Sequence, residues 1–267
     1  GPVLIDIPKD IQTEKISMAE YNKLYEVPIH LEGYDPTYKG HQGQIKKAAT
    51  LIKNAKRPLI IAGAGVLKSG AMDELKELAE KAQIPVTNTL VGLGGFPGDH
   101  ELALGMVGMH GSVAANNSTD EADLVIAAGI RFHDRITGHP DFFCKKAKII
   151  HIDIDPAEID KNVTINVPIV GDLKQVLTEL NALVEPTTHE AWLEQIREWQ
   201  AEYPMVIPES KNGVLHAQYV LSELNKIAKD DAIIVSDVGQ HQMWAAQFIP
   251  LLPLAVRAPW VMACRRL

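Results

Sequence analysis

The sequence predicts an α/β protein with a doubly wound parallel sheet, because short apolar runs alternate with amphipathic helical segments along residues 42–184. The runs at 124–128 and 149–154 have the apolar character expected of strands that are covered on both faces. No Asn-Gly hairpin signal lies between adjacent strands, so the connections are expected to be helical crossovers.

The individual elements are predicted from hydrophobic periodicity and from the Gly and Pro residues that separate the segments. In chain order we expect a helix that begins at Gln42, strands at 59–62, 84–87, 124–128, 149–153 and 169–170, and helices at 72–82 and 173–183. Asp172 directly precedes the last of these helices and is expected to cap it.

The flanking segments are interpreted as linkers and as parts of neighbouring domains. Before the central segment we expect the end of a preceding domain at 1–12, with a strand-like run at 3–7, and a linker at 13–41. After it we expect a second linker at 185–212, which contains a helix at 189–201. A second α/β unit is expected at 213–248, with a helix at 214–228 and a strand at 233–236. Because the chain starts on a strand-like run without Met, we expect a piece of a longer polypeptide.

The composition argues against several classes of function. A formal net charge of -8 argues against a nucleic-acid or anionic-membrane surface, since both require clustered Lys and Arg. The two cysteines, Cys144 and Cys264, form no disulfide or zinc spacing pattern. The sequence shows no apolar run of membrane-spanning length and no signal peptide, so a cytoplasmic protein is expected.

Glycine and charged residues collect where predicted strands end, which is where open parallel sheets bind ligands. Gly63-Ala64-Gly65 follows the first strand and could let the backbone approach a pyrophosphate. Arg131, Asp134 and Arg135 follow the third strand, and guanidinium groups bind phosphates well. Asp153 ends the fourth strand, where an acidic residue often binds a ribose hydroxyl.

Each of these features also has an explanation without a ligand. The glycines fit a tight strand-to-helix turn equally well, and the charged residues fit a surface salt-bridge cluster. Asp155 precedes Pro156 and is expected to cap a helix, which leaves Asp153 as the candidate cofactor contact.

Two further segments combine glycine with polar residues. Gly108-Met109-His110-Gly111 lies where a helix could begin, and its glycines would allow close approach to a flat ring. Residues 237–244 repeat the strand-glycine-helix pattern in the second unit, where Gln240 and His241 could donate hydrogen bonds to a phosphate.

Together, the segments 105–111, 131–138, 151–159, 171–172 and 238–247 resemble the catalytic subunit of acetolactate synthase (acetohydroxyacid synthase), a family of thiamine-diphosphate enzymes. The most specific matches are RFHDRITG at 131–138 and VGQHQMWAAQ at 238–247, and the resemblance covers nearly all of 1–248. His133 departs from the family pattern, which usually has Asp there.

The resemblance implies a domain assignment and two sets of cofactor contacts. It makes 1–12 the end of the pyrimidine-binding domain, 42–184 the central FAD-binding Rossmann-like domain, and 213–248 the start of the thiamine-diphosphate-binding domain. The positions that match FAD contacts are Gly63, Ala64, Gly65, Thr89, Leu90, Met109, His110, Gly111, Gly129, Arg131, Asp134, Arg135, Asp153, Ile154, Glu158, Gly171 and Asp172. The positions that match thiamine-diphosphate contacts are Val238, Gly239, Gln240 and His241.

The resemblance also implies an activity. The family condenses two 2-keto acids, pyruvate with pyruvate or 2-ketobutyrate, with loss of carbon dioxide, in the biosynthesis of valine, leucine and isoleucine. The glutamate that activates the cofactor and the Mg²⁺ ligands belong to other parts of the family's sequence, so we expect no catalytic residue or metal ligand here and no activity from this chain alone. The implied partners are further copies of the full-length chain and a regulatory small subunit.

Two alternative functions would use the same cofactor-binding or nucleotide-binding fold. One is another thiamine-diphosphate carboligase or a pyruvate oxidase-like enzyme, and the other is a non-catalytic nucleotide-binding module. Residues 249–267 depart abruptly from the family, and a shifted reading frame permits a glycine-rich run there, so we interpret them as a frameshifted tail. The alternative is a divergent but genuine C-terminal segment.

Overall fold

The computed structural model describes residues 4–24, 26, 35–209, 213–228 and 234–249. The chain divides into two compact units, Gly1–Asp35 and Pro36–Leu267. The first unit contains α1 (Lys9–Thr13) and α2 (Met18–Leu24), and neither helix has a buried residue. The predicted strand at 3–7 is wrong for its described part, because residues 4–7 form no strand and are exposed.

The second unit contains a sheet of six parallel strands in the order β3-β2-β1-β4-β5-β6. The strands are β1 (Pro58–Ala62), β2 (Val86–Asn88), β3 (Ala103–Met106), β4 (Leu124–Ala128), β5 (Lys148–Asp153) and β6 (Val167–Val170). The chain moves outward in one direction from β1 and in the other from β4, so a crevice opens between these central strands. The predicted doubly wound parallel α/β fold is confirmed.

Helices cover both faces of this sheet. The helices of this unit, in chain order, are α3 (Gln42–Asn54), α4 (Ala64–Ser69), α5 (Met72–Ala82), α6 (Val113–Glu121), α7 (Asp134–Thr137), α8 (Leu173–Leu183), α9 (Glu190–Glu202), α10 (Ala217–Ile227) and α11 (Gln240–Phe248). Side chains alternate across β1: Ile60 packs in the core formed with α3, α5 and α8, whereas Leu59 and Ile61 pack in the core formed with α6 and α9. Both cores are buried, which explains why the strands are apolar throughout.

The predicted linker at 185–212 contributes to the second of these cores. Trp192 and Ile196 of α9 are buried there, and Trp192 Nε1 donates a hydrogen bond to Pro58 O over 3.0 Å. The helix predicted at 189–201 is therefore present and is anchored to the first strand of the sheet.

Most predicted elements are confirmed, and two of the differences have a clear physical reason. The sequence did not indicate β3, because Gly105 interrupts its apolar pattern with a φ of 75°. β6 extends across Pro168, which an edge strand tolerates because it need not donate on its outer side. The strand predicted at 233–236 is wrong for residues 234–236, which form no strand, while residue 233 lies outside the described residues.

No helix within the described ranges combines the length and hydropathy needed to cross a bilayer. The tail interpretation for 249–267 concerns residues that, apart from Ile249, lie outside the described part of the chain.

Candidate cofactor-binding site

A cleft of about 770 Å³ lies at the carboxyl ends of β1, β4 and β5. This volume is within the range typical of small-molecule and cofactor sites. Eleven residues predicted as FAD contacts line the cleft: Ala64, Gly65, Thr89, Leu90, Gly129, Arg131, Asp134, Arg135, Asp153, Ile154 and Asp172. The fold therefore gathers residues from five separate segments of the sequence at one edge of the sheet.

The floor of the cleft is a direct contact between two backbone segments. Gly65 N donates a hydrogen bond to Gly129 O over 2.9 Å, and a Cβ on Gly65 would lie 2.5 Å from Gly129 Cα. Gly129 also has a φ of 61°, which disfavours other residues. These glycines thus have a packing role that does not depend on a ligand, and the N–H of Gly65 is already used.

Two arginines stand on the rim, each close to a carboxylate. Arg131 Nε lies 3.9 Å from Glu158 Oε1, and Arg135 Nε lies 3.8 Å from Asp134 Oδ2. The side chains of Arg135 and Asp134 are 77% and 84% exposed, so their pairing contributes little to stability. The Arg135 guanidinium could therefore turn toward an anionic ligand at small cost.

The end of β5 separates the roles of its two aspartates. Asp155 Oδ1 accepts a hydrogen bond from Ala157 N over 2.9 Å with Pro156 following, so its predicted capping role is confirmed. Asp153 Oδ1 accepts a hydrogen bond from Asp155 N over 2.9 Å. Burial raises the pKa of the Asp153 carboxyl, while that hydrogen bond acts in the opposite direction. Asp153 is thus a half-buried acceptor on the cleft wall.

His151 holds the loop after β4 from beneath. Its Nε2 lies 2.9 Å from Ile130 O, and its ring meets Phe132 edge-on at a centroid distance of 5.0 Å. Burial lowers the pKa of His151, so we assign the neutral ring with the proton on Nε2 as the donor to the carbonyl. The residue thereby fixes the backbone between Gly129 and Arg131.

Thr89 leaves a hydrogen-bonding atom unused inside the cleft. Its side chain is buried, and Oγ1 has no hydrogen-bond partner among the described residues. Burial of an unsatisfied hydroxyl is unfavourable, so this atom indicates a place where a polar ligand atom would be accommodated.

Six further predicted FAD positions do not line the cleft: Gly63, Met109, His110, Gly111, Glu158 and Gly171. Gly171 supports the cleft from behind, since Gly171 N donates to Asp153 O over 3.0 Å, whereas Glu158 Oε1 pairs with Lys161 Nζ at 2.9 Å. Gly63 N likewise donates to Ala128 O over 2.9 Å in the turn between β1 and α4.

The loop at 108–112 forms a neighbouring surface instead. Met109 N donates to Arg135 O over 3.2 Å, while the Met109 side chain is 69% exposed. The helix expected near this loop is α6, which begins at Val113 after Ser112 Oγ caps it by accepting a hydrogen bond from Ala115 N.

The four predicted thiamine-diphosphate positions lie at the amino end of α11, outside the cleft. Val238, Gly239, Gln240 and His241 are all exposed. The other end of α11 is joined to the loop at 108–112, because Gln247 Nε2 donates to His110 O over 3.0 Å.

Besides His133 and Asp155, the polar lining residues outside the predicted contact set are Lys68 and Ser69, which the sequence interpretation missed. The available signal was helical spacing: both follow Ala64 and Gly65 by four positions and therefore share their side of α4. Among the described residues, no group of three or more His, Cys, Asp or Glu side chains is arranged to hold a metal ion.

Comparison with known proteins assigns this architecture to a family. The family model described as "Thiamine pyrophosphate enzyme, central domain" matches residues 45–180. The chain belongs to the thiamine pyrophosphate enzyme family. The matched range contains all six strands of the sheet and the residues of the cleft.

Named relatives within the thiamine pyrophosphate enzymes agree with the resemblance seen in the sequence. The chain is 50% identical over 257 residues to a probable acetolactate synthase large subunit of Methanocaldococcus jannaschii, covering 93% of the chain and 43% of that relative. It is 45% identical over 255 residues to an acetolactate synthase of Mycobacterium bovis, covering 93% of the chain and 40% of the relative. An acetolactate synthase large subunit of Corynebacterium glutamicum is 45% identical over 254 residues, with the same coverages. The chain thus spans about two fifths of the length of these relatives.

Proposed function

We propose that this chain is part of the catalytic subunit of an acetolactate synthase and that its cleft binds FAD. The observation that carries the proposal is the convergence of eleven candidate FAD contacts on one cleft at the carboxyl edge of the sheet. The reaction proposed for the whole protein is the decarboxylating condensation of pyruvate with pyruvate or 2-ketobutyrate, in the biosynthesis of valine, leucine and isoleucine.

The chemistry of the cleft suits a dinucleotide. The carboxylate of Asp153 can accept hydrogen bonds from a ribose, and Arg131 and Arg135 can donate to phosphates. Thr89 Oγ1 offers a buried donor and acceptor without a protein partner among the described residues. FAD, when bound, would fill the cleft and organise its rim without a redox role in the condensation.

Thiamine diphosphate is the second cofactor of the proposal. When bound, it supplies the electron sink that decarboxylation of a 2-keto acid requires. We assign Val238, Gly239, Gln240 and His241 to contacts with it, because they stand together at the exposed amino end of α11. We assign no catalytic residue and no Mg²⁺ ligand to this chain, and we expect no synthase activity from it alone.

The proposed partners and location follow from the same assignment. Relatives carry the name large subunit, which supports a regulatory small subunit as a partner of the whole protein. We propose further a homo-oligomer of full-length chains in the cytoplasm, with small 2-keto acids as substrates and no nucleic-acid or membrane partner.

Flavin titration of the purified chain tests the FAD assignment, with Thr89→Val as the informative variant. We expect saturable FAD binding by the wild type, measured by flavin fluorescence. Thr89→Val should weaken FAD binding about tenfold, because it removes the hydroxyl that meets the ligand. The same variant should raise the free energy of unfolding without FAD by about 1 kcal/mol, because an unsatisfied buried hydroxyl is removed.

Thr119→Val is the matched control. Thr119 Oγ1 is buried but donates to Ala115 O over 2.8 Å, so the variant should lower the free energy of unfolding by about 1 kcal/mol and leave FAD affinity unchanged. Absence of saturable FAD binding by the wild type would contradict the proposal.

A further inference from the structure

Three cationic side chains line the cleft, and they differ in their partners. Arg131 and Arg135 each have a carboxylate oxygen within 4.0 Å, as described above. Lys68 lines the same cleft and makes neither an ion pair nor a side-chain hydrogen bond with any residue in the described ranges. It is the cleft cation whose charge the described protein leaves uncompensated.

The position of Lys68 follows from the helix that carries it. Ala64 and Lys68 are separated by four residues on α4, so they lie on the same side of that helix, one turn apart. Both line the cleft, which places Lys68 one turn above the glycine floor. A lysine side chain is long and flexible, so its ammonium can move toward a ligand that rests on this floor.

Two backbone donors at the floor of the cleft are already used. The N–H groups of Gly63 and Gly65 already donate to Ala128 O and Gly129 O, so they are not available to a phosphate. Four carboxylates line the cleft as well: Asp134, Asp153, Asp155 and Asp172. Without a free cation, these charges would oppose the binding of a diphosphate.

We propose that Lys68 Nζ binds a phosphate of the dinucleotide held in the cleft. This inference rests on the proposed FAD site and assigns a residue that the sequence motifs do not include. The simpler explanation is that Lys68 only complements the helix dipole at the last turn of α4, and that explanation predicts no effect on the ligand.

The test is FAD titration of the 267-residue chain at low and high salt with four proteins: wild type, Lys68→Gln, Lys68→Arg and Lys46→Gln. Lys68→Gln should raise the dissociation constant for FAD about tenfold, as expected for loss of one charge-assisted hydrogen bond. Lys68→Arg should restore most of the affinity. The salt dependence of binding should be smaller for Lys68→Gln than for wild type, because one phosphate contact is lost.

Lys46→Gln controls for net charge. Lys46 is exposed on α3, has no ion pair among the described residues and lies outside the cleft, so FAD affinity should be unchanged.

Wild-type affinity in Lys68→Gln, or an equal loss in Lys46→Gln, would overturn the inference while the FAD site stands. Absence of FAD binding by the wild type would overturn the proposed function and this inference together. Thermal unfolding of Lys68→Gln should match wild type, since the side chain has no described protein partner.

Discussion

The cleft and a groove on the opposite side of the sheet have nearly equal volumes, about 770 and 760 Å³, but they differ in chemistry. The α6–α9 groove is lined by Lys56, Arg57, Asn117, Asp120, Glu121, Ala191, Trp192, Gln195 and Trp199. No residue proposed to contact a cofactor lies in it. Volume alone therefore does not distinguish a binding site from a packing gap.

The two concavities differ in one buried atom, because Thr89 Oγ1 of the cleft is the only buried side-chain N or O atom without a partner among their described lining residues. In the α6–α9 groove, the N–H groups of Lys56 and Arg57 bond to the Asp123 carboxylate over 2.8 and 2.9 Å, and Arg57 Nη1 lies 3.3 Å from Glu121 Oε2. In the cleft, Thr89 Oγ1 and Lys68 Nζ lack partners among the described residues. A buried polar atom without a partner, rather than volume, therefore distinguishes the cleft from this groove.

The largest expected effect concerns the backbone contact at the floor of the cleft. Gly129→Ala should lower the free energy of unfolding by about 3 kcal/mol, since it combines a positive φ with a Cβ 2.5 Å from Gly65 Cα. Gly70→Ala is the control, because Gly70 has a similar φ of 66° but open space around it, and it should cost about 1 kcal/mol. Urea denaturation measures both. Equal losses would mean that the floor contact is not tight.

An intermediate effect is expected in the α6–α9 groove. Trp192→Phe removes the donor to Pro58 O and should lower the free energy of unfolding by about 2 kcal/mol, because the buried carbonyl loses its partner. FAD affinity should not change, since this groove is structural. Trp199→Phe is the control, as the Trp199 indole makes no hydrogen bond within the described ranges. If Trp192→Phe lost FAD affinity, the claim that the α6–α9 groove has no part in cofactor binding would be wrong.

The smallest effect is a pH dependence beneath the cleft. Burial lowers the pKa of His151 in the folded chain, so the unfolded chain binds its proton more readily and stability should fall as pH drops below 6.5. His151→Gln keeps an N–H donor for Ile130 O but does not titrate, so it should reduce this loss of stability at low pH. Urea unfolding of both proteins above and below pH 6.5 measures the pH dependence of stability. Burial also lowers the pKa of His189, so some slope should remain. If stability depended on pH equally in His151→Gln and the wild type, the assignment of a neutral His151 ring in the folded chain would be contradicted.

The sequence predicted the parts of the fold that local patterns determine. The bounds of α5, α8 and β4 match their hydrophobic periods, and Asp172 caps α8 as expected, accepting a hydrogen bond from Gln175 N over 3.1 Å. β3 was missed because it is short and contains Gly105, and only its pairing with β2 makes it a strand. Tertiary context decides such segments.

The sequence predicted which segments form the candidate site but not what each residue does there. Strand ends and the family resemblance indicated which segments lie near the cleft. The contact between Gly65 and Gly129 joins positions far apart in the chain, so the sequence could not reveal that a floor contact, rather than a ligand, already uses the Gly65 N–H. Lys68 was missed because a lone lysine near a helix end is ordinary on any surface.

The main-chain floor has an evolutionary consequence. Gly65 and Gly129 contact each other through their backbones alone. No side chain there can be replaced by a slightly different one. Sequence change is therefore expected to be tolerated least at these two positions, where any added side chain would displace backbone.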